Sequence, residues 1–369
     1  MMMIAFPSLL LATMPYPSCP DGLACSKLAP SDLPGMVFDC AHIESKFPGS
    51  AAGNVYLMHG DDGLQSKAMW AETMTQLADK GYNSLACDQR GYSPGAAPDE
   101  MSAYSYDLLA SDIVSITNAF GFNASFGGKF HLVAHDQGAR IGWHSIAKGE
   151  GRKSYLSFST LSIPHADVFN ERVCCGAGTV ASDQTAEQYL RQLLLPGSVR
   201  INNNALFVQF CETFGFVAGQ EEACQKSFWW YNGAVDSGAM AVAPLMPFGD
   251  SIASTIKIPY DQVKNLTQYP LDGWAQTAKV GIVREFPVMF ACSTHDTCDL
   301  CTQAGAEESG KMVTSNFTFV SNTCHHQLIR VSDCPIDQRQ KVIQAIIANV
   351  VNAPPRPTAD TGTGTLAAH

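Results

Sequence analysis

A chain of 369 residues that is 46% hydrophobic can bury a large core, as one large domain with an insertion or as two domains. Its net charge of −11, spread along the sequence, argues against a nucleic-acid-binding surface. No apolar run reaches the roughly 20 residues that a membrane-spanning helix needs.

Met1 to Met14 carries no charge and includes Leu9-Leu10-Leu11, so residues 1–18 read as a signal peptide, although a basic n-region is missing and Pro7 interrupts the run. Thirteen cysteines, with Asn-X-Ser/Thr sequons at Asn123, Asn265 and Asn316, favour secretion or an endomembrane lumen over the cytoplasm. If disulfides form, the odd count leaves at least one thiol unpaired within the chain; Cys324 with Cys334 and Cys211 with Cys224 would be short closures.

Cys19 to Pro34 is irregular in pattern, with Pro, Ser and Gly spread through it. Val37 to Ile43 and Val55 to Met58 read as strands, the second running into His59-Gly60-Asp61-Asp62-Gly63. Trp70, Met74, Leu77 and Ala78 form one helical face, closed by Gly81. Ser84 to Cys87 is the next strand, leading into Asp88-Gln89-Arg90-Gly91-Tyr92-Ser93-Pro94, and Leu109, Ile113, Ile116 and Phe120 mark another amphipathic helix. Strands follow at Lys129 to Ala134 and at Tyr155 to Ile163. Alternating short apolar strands and helices predict an α/β fold: a mostly parallel sheet with helices on both faces and its site at the strand carboxyl ends.

Between His165 and Arg284 the alternation stops. Helix-like patches, the cluster Phe207, Phe210, Phe214 and Phe216, and Phe228-Trp229-Trp230-Tyr231 suggest a helical cap over 169–284, inserted between core segments 35–168 and 285–352. The sheet resumes with Pro287 to Cys292 and Phe317 to Val320. A last helix carries Val342, Ile343, Ile346, Ile347 and Val350 on one face, and 353–369 has the composition of a disordered tail.

The chemistry centres on Lys129 to Arg140. The apolar run ends at His135-Asp136-Gln137-Gly138, after which Ala139, Ile141, Trp143 and Ile146 open a helical pattern. Ala134 and Gly138 are the small neighbours that a sharp strand-to-helix turn needs, and such a turn lifts its middle side chain above the sheet edge. Asp136 is that residue. An aspartate there also suits a plain helix cap. Asp296, after one strand, and His325, after the next, complete the order nucleophile, acid, histidine; a histidine acts as general base when a carboxylate holds its other nitrogen.

These segments resemble the epoxide hydrolase and haloalkane dehalogenase branch of the α/β-hydrolase fold over roughly residues 50 to 350, through His59-Gly60, Asp88 to Ser93, His135 to Arg140, Ser162-Ile163-Pro164-His165 and the surroundings of Asp296 and His325. The resemblance implies a hydrolase in which Asp136 attacks an sp³ carbon to form an ester. Tyr189, ahead of Pro196-Gly197, would donate to the epoxide oxygen. His325, oriented by Asp296, would activate water, and the backbone N–H groups of Gln137 and Asp61 would hold the oxyanion. His59, Gly60, Trp230 and Tyr231 would line a pocket for a small apolar substrate. No metal or cofactor is implied, and no motif bears on oligomeric state.

Three departures stand out. Asp61 and Asp62 replace the family's aromatic or Asn and Pro, and carboxylates there would raise the pKa of Asp136. Gln137 replaces the Trp with which dehalogenases hold the leaving halide, and Phe214 and Phe216 stand where a second cap tyrosine is expected. Dehalogenation, another hydrolase chemistry and a non-catalytic hydrolase-fold binding protein are therefore the alternatives to epoxide opening. Two decoys remain. Gly91-Tyr92-Ser93-Pro94-Gly95 spells G-x-S-x-G, but Pro94 lets no helix open there. Cys298, Cys301, Cys324 and His325 could ligate zinc, at the expense of the catalytic histidine. His326 is the alternative base, whereas His135 and His59 read as structural hydrogen bonders.

Overall fold

The structure, a computed structural model, describes residues 19–47, 49–60, 66–98, 103, 105–169, 195–196, 245–246, 279–293, 303–323 and 334–353. The expected signal peptide and nearly all of the expected cap and tail lie outside these residues.

Eight strands form one sheet: β1 (Ala24–Leu28), β2 (Phe38–Ile43), β3 (Gly53–Met58), β4 (Tyr82–Cys87), β5 (Phe130–His135), β6 (Tyr155–Leu161), β9 (Val288–Ser293) and β10 (Phe317–Asn322). Their order is β1-β2-β4-β3-β5-β6-β9-β10. β1 and β2 run antiparallel to their neighbours, and every pairing from β4 to β10 is parallel. A separate two-stranded pair, β7 (Leu195–Pro196) with β8 (Leu245–Met246), is antiparallel.

Side-chain alternation divides the core into two layers. Val55, Leu57, Val133, Met289 and Ala291 face Trp70, Met74 and Leu77 of α1 (Ala71–Asp79) and its preceding turn, together with Val342, Ile343, Ile346 and Ile347 of the last helix. Tyr56, Met58, Leu132 and Phe158 face α2 (Tyr106–Ala119) and α3 (Gln137–Ala147). Both faces of β3, β5 and β9 are sealed. A strand buried on both sides must be apolar nearly throughout, which is why these segments read as unbroken runs. Three further α-helices are α4 (Glu150–Ser154), α5 (Gln303–Lys311) and α6 (Ile336–Val351).

The reading of Cys19 to Pro34 as irregular needs correction, because it contains β1. This strand is a partly exposed edge with the sequence Ala-Cys-Ser-Lys-Leu and has no apolar face to announce it. It is held by pairing with β2 and by the Cys19–Cys25 disulfide. A second disulfide, Cys40–Cys87, joins directly opposed residues of β2 and β4 inside the core. Cys292 and Cys334 are half-cystines as well.

The chain leaves the sheet after β6 and returns to pair with it at β9. The two ends of the intervening stretch are tied together. The Asp167 carboxylate accepts N–H bonds from Val280 (2.9 Å) and Gly281 (2.8 Å), and His165 Nε2 bonds to the Gly281 carbonyl (3.1 Å). Arg152 adds a bond to the Val280 carbonyl (2.5 Å) and an ion pair with Glu285 (2.8 Å).

Candidate active site

β5 delivers the central residue. The N–H of Asp136 still bonds across to Leu161 at the end of β6 (2.9 Å), while its carbonyl already accepts from Ala139 (2.9 Å) and Arg140 (3.1 Å) in α3. One residue thus belongs to the strand and to the helix. Its backbone sits at φ 50°, ψ −118°, a conformation that side chains other than glycine's rarely adopt. The side chain is half-buried at the carboxyl edge of the sheet and makes no hydrogen bond to the first turn of α3. Helix capping, the plainer reading of an aspartate here, is therefore not its role.

Gly138 explains how the turn can be so tight. A Cβ there would stand 2.5 Å from the His59 carbonyl and 2.9 Å from Met58 Cβ, so the first turn of α3 rests directly on the end of β3. Ser162, at the end of β6, has φ 68°, and its hydroxyl lies 3.3 Å from His135 Nε2.

His59 is enclosed. Its Nδ1–H donates to the Gly60 carbonyl (2.7 Å), and its Nε2 accepts from the Gln89 N–H (2.9 Å). Burial holds this imidazole below its ordinary pKa, so the ring is neutral. With both nitrogens engaged inside the fold and no exposed surface, the ring acts as a structural hydrogen bonder. It braces the chain just past the end of β3, at Gly60.

The segment Asp88 to Ser93 serves the same brace. Gln89 gives His59 its main-chain donor and also bonds to the His59 carbonyl through its amide. Tyr92 packs edge-on against the His59 ring at 4.7 Å. Asp88, fully buried, accepts the Lys67 N–H (2.8 Å) and pairs with the buried Lys67 ammonium. Arg90 makes a two-point ion pair with Asp112 (2.8 and 2.5 Å). Ser93 donates to the Asp88 carbonyl (2.7 Å) and accepts the Asp39 N–H (2.9 Å), with no exposed surface. Its G-x-S-x-G frame is structural. Lys67 carries no motif, and its pairing with a residue 21 positions away was not legible in the sequence.

Gln137 directs its amide to the Tyr106 hydroxyl (2.5 Å), and its carbonyl oxygen lies 3.4 Å from Arg140 Nη1. The Arg140 guanidinium lies over the rings of Tyr106 (5.4 Å) and Phe169 (5.0 Å).

Of the residues expected to form the site, Asp136, Gln137, His59 and Gly60 are brought to one edge of the sheet. Asp61, Asp62, Tyr189, Trp230, Tyr231, Asp296 and His325 lie outside the described residues, as do His326 and the Cys298, Cys301 and Cys324 thiols. Ser293 and Asn322, which end β9 and β10, are register partners, and Asp296 and His325 each follow three residues later. Among the described residues no group of three or more His, Cys, Asp or Glu is placed to hold a metal, and no helix is long and apolar enough to cross a membrane.

A doubly covered, mostly parallel sheet with a strained acidic residue at the strand-to-helix turn of a central strand defines a hydrolase-type α/β architecture. Residues 55–315 match the alpha/beta hydrolase family, and the chain belongs to it. It is 30% identical over 127 residues to epoxide hydrolase A of Mycobacterium tuberculosis, covering 34% of this chain and 37% of that protein. It is 35% identical over 129 residues to the fluoroacetate dehalogenase of a Burkholderia species, covering 34% and 39% respectively. The matched stretches thus span less than half of these relatives. Among solved structures, an epoxide hydrolase from metagenomes of hot environments superposes with a TM-score of 0.55 at 17% identity, over 88% of this chain and 98% of that one. A Vigna radiata epoxide hydrolase mutant gives 0.52 at 16% identity, over 89% and 99%. At such identities the likeness speaks for the α/β-hydrolase fold alone.

Proposed function

We propose that this protein opens epoxides to diols through an ester on Asp136. The observation that carries the reading is the strained turn. Asp136 is held at the edge of the sheet by main-chain bonds on both sides, and its carboxylate is not used to cap α3. The partial relatives named epoxide hydrolase support the substrate class.

In this scheme a carboxylate oxygen of Asp136 attacks an epoxide carbon. The ring C–O bond breaks, and the oxygen takes its proton from the Tyr189 hydroxyl. His325, held by Asp296, then removes a proton from water, which adds to the ester carbonyl. The N–H groups of Gln137 and Asp61 hold the oxyanion until the acyl C–O bond breaks. The departing alkoxide takes the proton held by His325 and leaves as the diol, and the proton remaining on the Asp136 carboxyl returns to Tyr189. The side chain of Gln137 is tied to Tyr106, so its contribution is that of its backbone.

Single-turnover hydrolysis of styrene oxide in water enriched in heavy oxygen tests the scheme. The label is expected in the Asp136 carboxylate, because water attacks the ester carbonyl and not the substrate carbon. His325→Gln is expected to accumulate the ester, seen by intact mass. Turnover without label in Asp136 would overturn the mechanism, and absence of turnover across epoxides, haloacids and simple esters would favour a binding protein. Dehalogenation is the second reading, favoured by the 35% identity to the fluoroacetate dehalogenase; it uses the same ester and is distinguished by halide release.

A further inference from the structure

At the opposite end of the sheet from Asp136, a groove of about 670 Å³ opens between the end of β2 and the turns that precede β5. The six residues of β5 place the two ends roughly 20 Å apart at about 3.3 Å per residue, so this groove is separate from the chemistry at Asp136. Its walls are aromatic: His42, Phe47, Phe120, Phe122 and Phe126. His42 and Phe120 pack at 5.0 Å, and Phe120 meets Phe122 edge-on at 5.5 Å. Phe47 and Phe126 are 53% and 40% exposed, a large apolar outlay for a surface, and Phe126 holds this place with a backbone φ of 50°. The floor is polar: Asn54 donates to Ser125 Oγ (2.7 Å) and accepts from Asn83 (3.1 Å).

Asn123 stands on the rim, between the lining residues Phe122 and Ser125, and is exposed. With Ala124 and Ser125 it forms a sequon. Disulfides such as Cys19–Cys25 and Cys40–Cys87 persist in oxidising compartments, the kind in which sequons are modified.

We propose that Asn123 carries an N-linked glycan and that its inner sugars lie in this groove, covering Phe47 and Phe126. A sugar ring offers an apolar C–H face to aromatic walls and hydroxyls to an amide floor, so its chemistry matches the lining. Asn316 provides an internal comparison: it is also exposed and begins a sequon, but no residue near it lines the groove.

The full chain, secreted from a eukaryotic host behind a cleavable leader, tests this through glycopeptide mapping and binding of a hydrophobic fluorescent dye. Glycan is expected at Asn123. Asn123→Gln is expected to raise dye fluorescence about threefold or more, through the apolar patch it uncovers. Adding Phe47→Ser and Phe126→Ser should abolish the rise, and Asn316→Gln should produce none. Enzymatic removal of glycan from the folded, secreted protein gives the same readout without requiring a variant to fold. An unmodified Asn123 in a secreted, disulfide-bonded protein would overturn the proposal. So would a modified Asn123 whose removal leaves dye binding unchanged, since the glycan would then project into solvent.

Discussion

A non-glycine residue at φ 50° costs about 1–3 kcal/mol relative to the ordinary basins, and Asp136 bears that cost inside a strand-to-helix turn with main-chain bonds on either side. Ser93 shows the opposite arrangement. It sits in a sequence that imitates a serine nucleophile, yet its backbone is extended, at φ −76°, and its hydroxyl is used twice within the fold. Ser93→Ala should therefore leave kcat within about twofold of the parent. It should lower stability by about 1–3 kcal/mol, because the Asp39 N–H loses its buried acceptor. Urea unfolding alongside epoxide turnover checks both halves. A folded Ser93→Ala protein without activity would return the nucleophile role to serine.

At the scale of elements, the approach of α3 to β3 sets the site, and a missing side chain permits it. Gly138→Ala puts a Cβ 2.5 Å from a main-chain oxygen that has no freedom to withdraw, since Gln89 also binds it. The first turn of α3 must lift, at a cost of about 1–3 kcal/mol. Thermal unfolding should register the loss, and turnover should fall with it because Asp136 moves with the helix. A Gly138→Ala protein of parental Tm and activity would mean that the contact relaxes freely. Legibility in the sequence followed burial. Strands sealed on both faces, such as β3, β5 and β9, announced themselves as apolar runs, and α2 and α6 as helical stripes. β1 did not, because a partly exposed edge strand needs no apolar pattern. α5 did not, because the residues it buries are Gly305, Ala306 and Ser309, too small to register as a hydrophobic face. Ser309 nevertheless accepts the His165 N–H, which helps fix the point where the chain leaves the sheet. At the site, Asp136 was legible from its small neighbours Ala134 and Gly138. The Lys67–Asp88 pair and the enclosure of His59 were not, since contacts across 21 and 30 positions depend on strand order.

Among the described residues of the whole fold, four histidines are held below their ordinary pKa, burial being the largest cause for each: His59, His131, His144 and His165. The His131 imidazole is pushed down to about 3 and that of His165 to about 4. Once the chain unfolds, each titrates near 6.5. Between roughly pH 6.5 and those lower values the unfolded chain binds more protons than the native one, so stability rises with pH across this window and is lost on acidification. One buried carboxyl opposes the trend. Asp112 is raised to about 6, because desolvation outweighs the attraction of Arg90, so the native state binds its proton first as pH falls. The histidines outnumber it, and the midpoint of urea unfolding should drop between pH 7 and pH 5. His131 is the cleanest probe, since Ser157 at 2.8 Å and the edge of Tyr82 are its neighbours and desolvation is the whole cause of its shift. His131→Gln keeps a polar partner for Ser157 and removes the titration. It should flatten the dependence of stability on pH by about one proton, or about 1.4 kcal/mol per pH unit, within the window. Equal slopes in parent and variant would mean that His131 is already protonated in the folded protein, which its enclosure between β3, β4 and β6 argues against.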